Sequence, residues 1–203
     1  MNKKLVLFDL DGVLINSKSN MELAWKETSK KFLLGIEFED YFNKIGRPFE
    51  DILNMLNIKE NKGDIENFFN KISTNHIDKI DFYKGVIVTL RKIIDKNIKI
   101  GIVTSKNTAK TDKILQSINI EFDIVQTPNG KLRGKPAPDH ILHAMQVLGV
   151  TPKSVLYIGD MEVDYQAAKN ANIDYMFAQW GYGSCHDEKI MRLKDISQIL
   201  DVI

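Results

Sequence analysis

The most informative stretch of the chain reads Leu5-Val6-Leu7-Phe8-Asp9-Leu10-Asp11-Gly12, four apolar residues that run directly into two carboxylates and a glycine. Four successive apolar residues predict a β-strand buried on both faces, as in a parallel sheet covered by helices. Gly12 permits a backbone angle that other residues rarely adopt, so we expect a tight turn after the strand. Two carboxylates at positions i and i+2 in such a turn can face one small volume.

The same pattern, an apolar run followed by polar residues, recurs along the chain. Thr104-Ser105 follows a second run and Gly159-Asp160 follows a third. The apolar runs lie at 98–103, 122–125, 155–158 and 173–178, and segments with a 3.6-residue apolar period lie at 85–96, 107–118 and 138–148. Alternating strands and helices predict an α/β fold, a Rossmann-like parallel sheet with helices on both faces. Such sheets bind ligands at the carboxyl ends of their strands.

One interval, from about residue 17 to residue 82, shows helical periodicity and no convincing strand. Ser17 is a candidate N-cap for the first helix of this interval. We therefore expect a helical cap domain of residues 16–83, inserted after the first strand and lying over the strand ends as a lid. The core domain is then formed by residues 1–15 and 84–203.

Two further motifs supply a fixed cation and more carboxylates. Lys135 stands in Gly134-Lys135-Pro136-Ala137-Pro138, a loop stiffened by two prolines, so its ammonium is held in place to offset nearby negative charge. Asp160 and Asp9 are hard oxygen ligands of the kind that Mg²⁺ prefers. Asp164, one helical turn after Asp160, suits a supporting role at the same site. Taken singly, each motif also has an ordinary structural explanation, such as a helix cap or a solvent-exposed lysine.

In this order, and at the strand ends, the four motifs resemble those of the haloacid dehalogenase-like hydrolase superfamily. Segments 167–173 and 180–183 are similar to its branch of phosphoglycolate phosphatases and β-phosphoglucomutases. Asn172 stands where this branch usually has glycine, and we expect it in a left-handed turn, which asparagine tolerates.

The resemblance implies a role for each motif residue. Asp9 is expected to be the nucleophile and a Mg²⁺ ligand, and Asp11 the general acid and base, with its backbone carbonyl on the metal. The remaining expectations are Thr104 and Lys135 as catalytic groups that bind the phosphoryl group, Ser105 and Arg47 as substrate-binding residues, and Asp160 and Asp164 at the Mg²⁺ site. The implied activity is a Mg²⁺-dependent phosphatase that forms an aspartyl-phosphate.

Two alternatives remain open. A sugar phosphomutase similar to β-phosphoglucomutase would carry a histidine and an arginine where this chain has Met21 and Phe49. A catalytically inactive module that binds phosphate or metal would retain the fold without turnover. The helical cap favours a small-molecule phosphate ester as the substrate, since a closed lid excludes polymers.

The composition excludes several classes of partner. With 28 basic and 27 acidic residues, the net charge is +1, so neither nucleic acid nor an anionic membrane is an expected partner. Cys185 is the single cysteine, which excludes an internal disulfide and suits a reducing compartment. The first apolar run is too short for a signal peptide, so we expect a soluble cytoplasmic protein. The composition leaves the oligomeric state open.

Overall fold

The computed structural model describes residues 3–203, and its centre is a six-stranded sheet in which every neighbouring pair is parallel. The strands are β1 (Leu5–Phe8), β2 (Ile15–Asn16), β3 (Asp81–Phe82), β4 (Lys99–Val103), β5 (Ile124–Gln126), β6 (Val155–Gly159), β7 (Asp174–Ala178) and β8 (Met191–Leu193). The order in the large sheet is β5-β4-β1-β6-β7-β8. This confirms the predicted α/β fold with a Rossmann-like sheet.

Eight α-helices surround the sheet or form the inserted segment among the described residues. They are α1 (Lys18–Lys31), α2 (Phe38–Phe42), α3 (Phe49–Met55), α4 (Lys62–Asn75), α5 (Val86–Asp95), α6 (Thr108–Leu115), α7 (Asp139–Leu148) and α8 (Glu162–Asn170). Within residues 3–203, no helix combines the length and the apolar character needed to cross a bilayer.

The first strand is central because its side chains serve two cores. Alternate residues of a strand point to opposite faces of the sheet. Val6 and Phe8 therefore pack in one apolar cluster with α5, while Leu5 and Leu7 pack in another with α7 and α8. All four side chains are fully buried. The continuous apolar run at the start of the chain is the consequence of this burial on both faces.

Helices α1 to α4 form their own apolar cluster, in which the rings of Trp25 and Tyr41 stack with their centroids 4.3 Å apart. At the base of this segment, β2 and β3 pair as a short antiparallel ladder. The prediction of no strand between residues 17 and 82 is wrong at Asp81–Phe82, because two residues are too few to show an alternating pattern. Of the expected domain boundaries, 15/16 falls within β2 and 83/84 falls just after β3. Residues 1 and 2 of the expected core lie outside the described part.

Two other differences from the prediction concern the sheet edges. The expected strand at 122–125 begins two residues later, as β5, and β8 was not predicted. Met191 and Arg192 of β8 are exposed and half-buried, so this edge strand lacks the apolar run that marks the central strands. Asn172 has a φ of 55°, which confirms the expected left-handed turn.

Candidate active site

The candidate site lies at the carboxyl ends of β1, β4 and β6. Phe8 pairs with Ile102 on one side and with Ile158 on the other, so the residues that follow these three strands meet at one edge of the sheet. Asp9, Thr104 and Asp160 are brought together in this way, and all three are buried. Lys135 reaches the same place from the loop before α7, and Asp164 from the first turn of α8.

Lys135 joins two of these carboxylates. Its Nζ lies 3.0 Å from Oδ1 of Asp9 and 2.6 Å from Oδ1 of Asp164. Burial by itself opposes the charged form of Lys135, but the carboxylates of Asp164 and Asp9 outweigh it and raise the pKa of Lys135 above its usual value. The ammonium is therefore held charged beside Asp9.

Both carboxylate oxygens of Asp164 are used by the protein itself. Oδ2 accepts the backbone N–H groups of Asp160, at 3.2 Å, and Met161, at 3.0 Å. Oδ1 accepts the ammonium of Lys135 and lies 3.1 Å from the hydroxyl of Tyr157. This arrangement suits the supporting role expected for Asp164, since it orients the loop that carries Asp160.

Asp160 differs from Asp164, because one of its carboxylate oxygens accepts no hydrogen bond from the described part of the chain. Oδ2 accepts the backbone N–H of Tyr182 at 2.7 Å, whereas Oδ1 is buried with no hydrogen-bond partner within the described chain. Oxygens of Asp9, Asp160 and Asp164 lie within 4.8 Å of one another. Burial raises the pKa of Asp9 to about 7, against the opposing charge of Lys135, and raises that of Asp160 well above its usual range. Clustered buried carboxylates with one free oxygen fit a hard divalent cation such as Mg²⁺.

Two glycines make room for Asp160. A Cβ atom on Gly12 would lie 2.1 Å from Oδ2 of Asp160, and one on Gly181 would lie 2.2 Å from its Cβ. Gly12 also has a φ of 80°, so the expected unusual turn is present. Side chains at either position would displace the carboxylate, which explains why the backbone closes around Asp160 from two sides.

Asp11 lies apart from this cluster and is held by a lysine that the sequence analysis missed. Its Oδ1 is 2.8 Å from Nζ of Lys106 and also accepts the hydroxyl of Ser17. Burial acts to raise the pKa of Asp11, but Lys106 and Ser17 outweigh it, and the pKa is lowered. Lys106 stands two positions after Thr104, and this place directly after a buried strand is the sequence signal that could have identified it.

The prediction that the side chain of Ser17 caps α1 is wrong. Ser17 does occupy the N-cap position of α1, but its side chain makes no capping hydrogen bond. Its hydroxyl donates to Asp11 instead, and its backbone N–H donates to the hydroxyl of Tyr182 at 2.6 Å. Ser17 therefore connects the start of the inserted segment to the site.

The three expected phosphate and substrate contacts are placed differently from one another. Thr104 is buried at the site, with its Oγ1 accepting the backbone N–H of Lys106 at 3.1 Å. Its own N–H donates to the carbonyl of Gln126, so the hydroxyl is the donor of Thr104 that remains for the expected phosphoryl contact. The hydroxyl of Ser105 donates to the carbonyl of Gly46 at 2.9 Å and so joins the core to the inserted segment. Arg47 lines the cleft.

The cleft in front of Asp9 lies between the sheet edge and helices α1 to α4, and encloses about 660 Å³, part of it open to solvent. Its lining residues are Asp9, Asp11, Met21, Tyr41, Ile45, Gly46, Arg47, Phe49, Ile52, Glu66, Phe69, Asn70, Thr104, Ser105, Lys106, Asn107, Lys110 and Met161. Met21 and Phe49 thus put apolar groups where a phosphomutase similar to β-phosphoglucomutase would carry polar ones. Lys110 is a second buried lysine that was not predicted, since one lysine among 24 carries no local signal.

Comparisons with known proteins agree with this geometry. The family model described as haloacid dehalogenase-like hydrolase matches residues 6–178. The phosphoglycolate phosphatase of Aquifex aeolicus is 29% identical over 206 residues, covering 98% of this chain and 97% of that protein. Pyrophosphatase PpaX of Oceanobacillus iheyensis is 28% identical over 213 residues, covering 100% of this chain and 98% of that protein. A crystal structure of a hydrolase from Pseudomonas syringae superposes with a TM-score of 0.86 at 21% identity, covering 98% of this chain and 97% of that one. The chain therefore belongs to the haloacid dehalogenase-like hydrolase family.

Proposed function

We propose that this protein is a Mg²⁺-dependent phosphatase that hydrolyses a small phosphate ester through a phosphorylated Asp9. One observation carries the proposal. Asp160, whose Oδ1 has no hydrogen-bond partner among the described residues, lies in a cluster with Asp9, and Asp9 also forms an ion pair with the buried ammonium of Lys135. A carboxylate nucleophile, a cation site and a fixed positive charge are what phosphoryl transfer requires, because its catalysis is mainly positioning and charge stabilisation.

In the first step, a carboxylate oxygen of Asp9 bonds to phosphorus as the bond from phosphorus to the ester oxygen breaks. The leaving oxygen takes a proton from Asp11. In the second step, Asp11 accepts a proton from water, whose oxygen attacks the phosphorus, so that inorganic phosphate leaves and Asp9 is restored. Lys135 and the hydroxyl of Thr104 stabilise the transferring group in both steps.

The contacts of Asp11 favour its role in the second step. The ion pair with Lys106 and the hydrogen bond from Ser17 stabilise the ionised carboxylate, which is the form that accepts a proton. To act as the acid of the first step, Asp11 has to take up a proton while the ester is bound.

Asp9 and Asp160 are the side chains that would hold the cation, together with the backbone carbonyl of Asp11, while Asp164 keeps the loop of Asp160 in place. When bound, Mg²⁺ supplies charge neutralisation for the phosphoryl oxygens and for the carboxylates. Lys135 keeps one oxygen of Asp9 oriented, so that the other is free to face the cleft.

The substrate is a small molecule, since the cleft is covered by the inserted segment, residues 16–83, which we propose is a separate cap domain. The relatives named phosphoglycolate phosphatase and pyrophosphatase PpaX support a small phosphate compound as the substrate. The proposal includes a cytoplasmic location and no nucleic acid or membrane partner.

The test is release of inorganic phosphate from a panel of small esters, with and without Mg²⁺, by the wild type and by Asp9→Asn. We expect Mg²⁺-dependent release that the substitution abolishes, and a mass increase of one phosphoryl group on the wild type when the reaction is quenched early. Phosphate moved within a sugar phosphate without release would establish the mutase instead. No turnover and no phosphorylated protein would establish a binding module.

A further inference from the structure

The cleft contains a buried lysine that the proposed reaction does not use. Lys110, on α6, has only 3% of its surface exposed. Its Nζ donates to the hydroxyl of Ser73 on α4, and it lies 5.6 Å from the centre of the Phe69 ring. Among residues 3–203, no carboxylate forms an ion pair with Lys110. A buried ammonium whose partner is a neutral hydroxyl lacks compensation for its charge.

The neighbouring lysine increases this imbalance. Lys106 stands four positions before Lys110, just ahead of the N-cap of α6, and its ammonium lies 2.8 Å from a carboxylate oxygen of Asp11. Asp11 is therefore paired with Lys106, and its charge offsets that of Lys110 only in part. Burial, and then the charge of Lys106, lower the pKa of Lys110 well below its usual range. Such a pair is stabilised when an anion binds between or beside the two groups.

Both lysines face the substrate cleft, and the cap segment adds a third cation. Lys106 and Lys110 line the same cleft as Asp9, and so does Arg47, which has no hydrogen bond or ion pair within the described part of the chain. Glu66 also lines this cleft, but it precedes Ser73 on α4 by seven residues, roughly 10 Å along a helix. Among the described ion pairs, none joins Glu66 to either lysine.

We propose that the substrate carries a second anionic group, a carboxylate or a second phosphoryl group, and that Lys110 binds this group and determines specificity for it. Lys106 and Arg47 complete the subsite from the core and from the cap segment. The inference rests on the proposed function, since Asp9 defines where the reacting phosphoryl group lies. A neutral sugar phosphate would leave Lys110 uncompensated in the closed cleft, and a phosphorylated amino alcohol would add a further positive charge beside it.

The test compares esters that share one skeleton and differ in charge at the far end. These are 2-phosphoglycolate, which ends in a carboxylate, 2-hydroxyethyl phosphate, which is neutral there, and phosphoethanolamine, which ends in an ammonium; pyrophosphate supplies the second phosphoryl group. We expect the wild type to prefer one of the two doubly anionic compounds over the neutral ester by roughly 10- to 100-fold in kcat/KM. Because pyrophosphate has a better leaving group than the esters, its binding affinity, rather than its kcat/KM, decides whether the anion is a phosphoryl group or a carboxylate.

Substitutions then assign the preference to Lys110. Lys110→Met keeps the apolar stem and removes the charge, and we expect kcat/KM for the preferred doubly anionic compound to fall by about 10-fold or more relative to kcat/KM for 2-hydroxyethyl phosphate. Lys110→Arg should retain the preference. Lys113→Met, on the exposed side of the same helix, is the matched control and should change nothing. A wild type that hydrolyses the neutral ester equally well, or prefers phosphoethanolamine, overturns the inference, as does an equal loss on all substrates in Lys110→Met.

Equilibrium binding separates this inference from the proposed function. Calorimetry of the same four compounds with Asp9→Asn, and with the unaltered chain if no compound is turned over, measures the preference without chemistry. Tighter binding of 2-phosphoglycolate or pyrophosphate than of 2-hydroxyethyl phosphate supports the second anion site even where the phosphatase proposal fails. Equal affinities overturn it. This measurement keeps Lys110 intact, so it still tests for the second anion site if Lys110→Met does not fold, and the same measurement with Lys110→Arg then assigns the site to Lys110 if the preference is retained with altered affinity.

Discussion

The ammonium of Lys135 lies 3.0 Å from a carboxylate oxygen of Asp9, and both side chains are almost inaccessible to water. The same ammonium also contacts Asp164, so one cation compensates two buried carboxylates. This relationship offsets part of the negative charge of the site before any cation binds. We therefore expect both the stability of the fold and the proposed chemistry to depend on Lys135.

Replacing Lys135 by methionine should therefore damage both properties. We expect a loss of about 3–5 kcal/mol in the free energy of unfolding, because two buried carboxylates lose their partner. Phosphate release should fall by at least about 1000-fold, since the transferring group loses a fixed positive charge. Chemical denaturation and steady-state kinetics measure the two effects. Lys131→Met, exposed in the same loop, is the control; comparable losses in that variant would contradict the assignment.

The stability of the metal-free protein should fall as the pH rises. Burial raises the pKa of Asp9 from 3.8 to about 7, so between these values the folded protein retains a proton that the unfolded chain has released. This contribution is present below the lower value and is lost as the pH rises through the higher one. Asp160, with its pKa also raised by burial, acts in the same direction.

Thermal unfolding in EDTA across pH 5 to 8 measures this effect. Because Mg²⁺ competes with protons for the same carboxylates, the increase in Tm on adding Mg²⁺ should grow with pH. Asp9→Asn should flatten the pH dependence. If the Tm of the metal-free protein stays constant or rises over this range, the pKa of Asp9 is not raised.

Gly181→Ala should disrupt the cation site. The added Cβ would lie 2.2 Å from the Cβ of Asp160, so the carboxylate has to move. We expect destabilisation of about 1–3 kcal/mol and at least a tenfold weaker apparent affinity for Mg²⁺, measured from the Mg²⁺ dependence of activity. Gly63→Ala on α4 has nothing within 4 Å of its added Cβ and should leave both properties unchanged or slightly improved. Equal behaviour of the two variants would refute the packing argument.

Lys106→Met should move the acidic limb of the pH profile of kcat to higher pH. Burial acts to raise the pKa of Asp11, and Lys106 is the main group that counteracts it. Without Lys106, Asp11 holds its proton to higher pH and becomes available as a base only there. The kcat profile measured on a neutral phosphate ester reports this shift, and Lys113→Met should reproduce the wild-type profile. An unchanged limb in Lys106→Met would mean that Asp11 is not the base.

The cap segment depends on a buried amide. Asn20 donates from Nδ2 to the carbonyls of Ser73, at 2.8 Å, and His76, at 2.7 Å, and accepts the hydroxyl of Ser73. Asn20→Ala leaves these groups buried without partners, so we expect a loss of about 2–4 kcal/mol in the free energy of unfolding. Asn75→Ala, exposed on α4, should stay within about 0.5 kcal/mol. Urea titration with both variants tests this.

The strands and site residues that could be predicted are those with a local signal. Apolar runs buried on both faces identify β1, β4 and β6, and the polar residues directly after them are Asp9, Thr104 and Asp160. Adjacency in the chain is sufficient here, because a buried strand needs a particular composition and its end is marked by the first polar residue. The edge strand β8 has no such composition.

Lys106 and Lys110 show where local signals end. Both are lysines in a chain with 24 of them, and what distinguishes them is burial against Asp11 and Ser73, which lie far away along the chain. Ser17 likewise has the residue type of a cap and makes a different hydrogen bond. The contacts that set these roles join segments separated by many residues, so no short window of sequence contains them.

The amino-acid sequence alone determined the parallel α/β core, the inserted helical segment and the order of the motifs, because burial, turn geometry and residue chemistry act within a few positions. Only the tertiary structure decided how these motifs share their charges. It pairs Lys135 with Asp9 and Asp164, and Lys106 with Asp11. Among residues 3–203, one oxygen of Asp160 has no hydrogen-bond partner and Lys110 has no ion pair. The physical reason is that electrostatic balance in a buried site depends on distances of a few ångströms between groups from different strands and helices, and folding alone sets those distances.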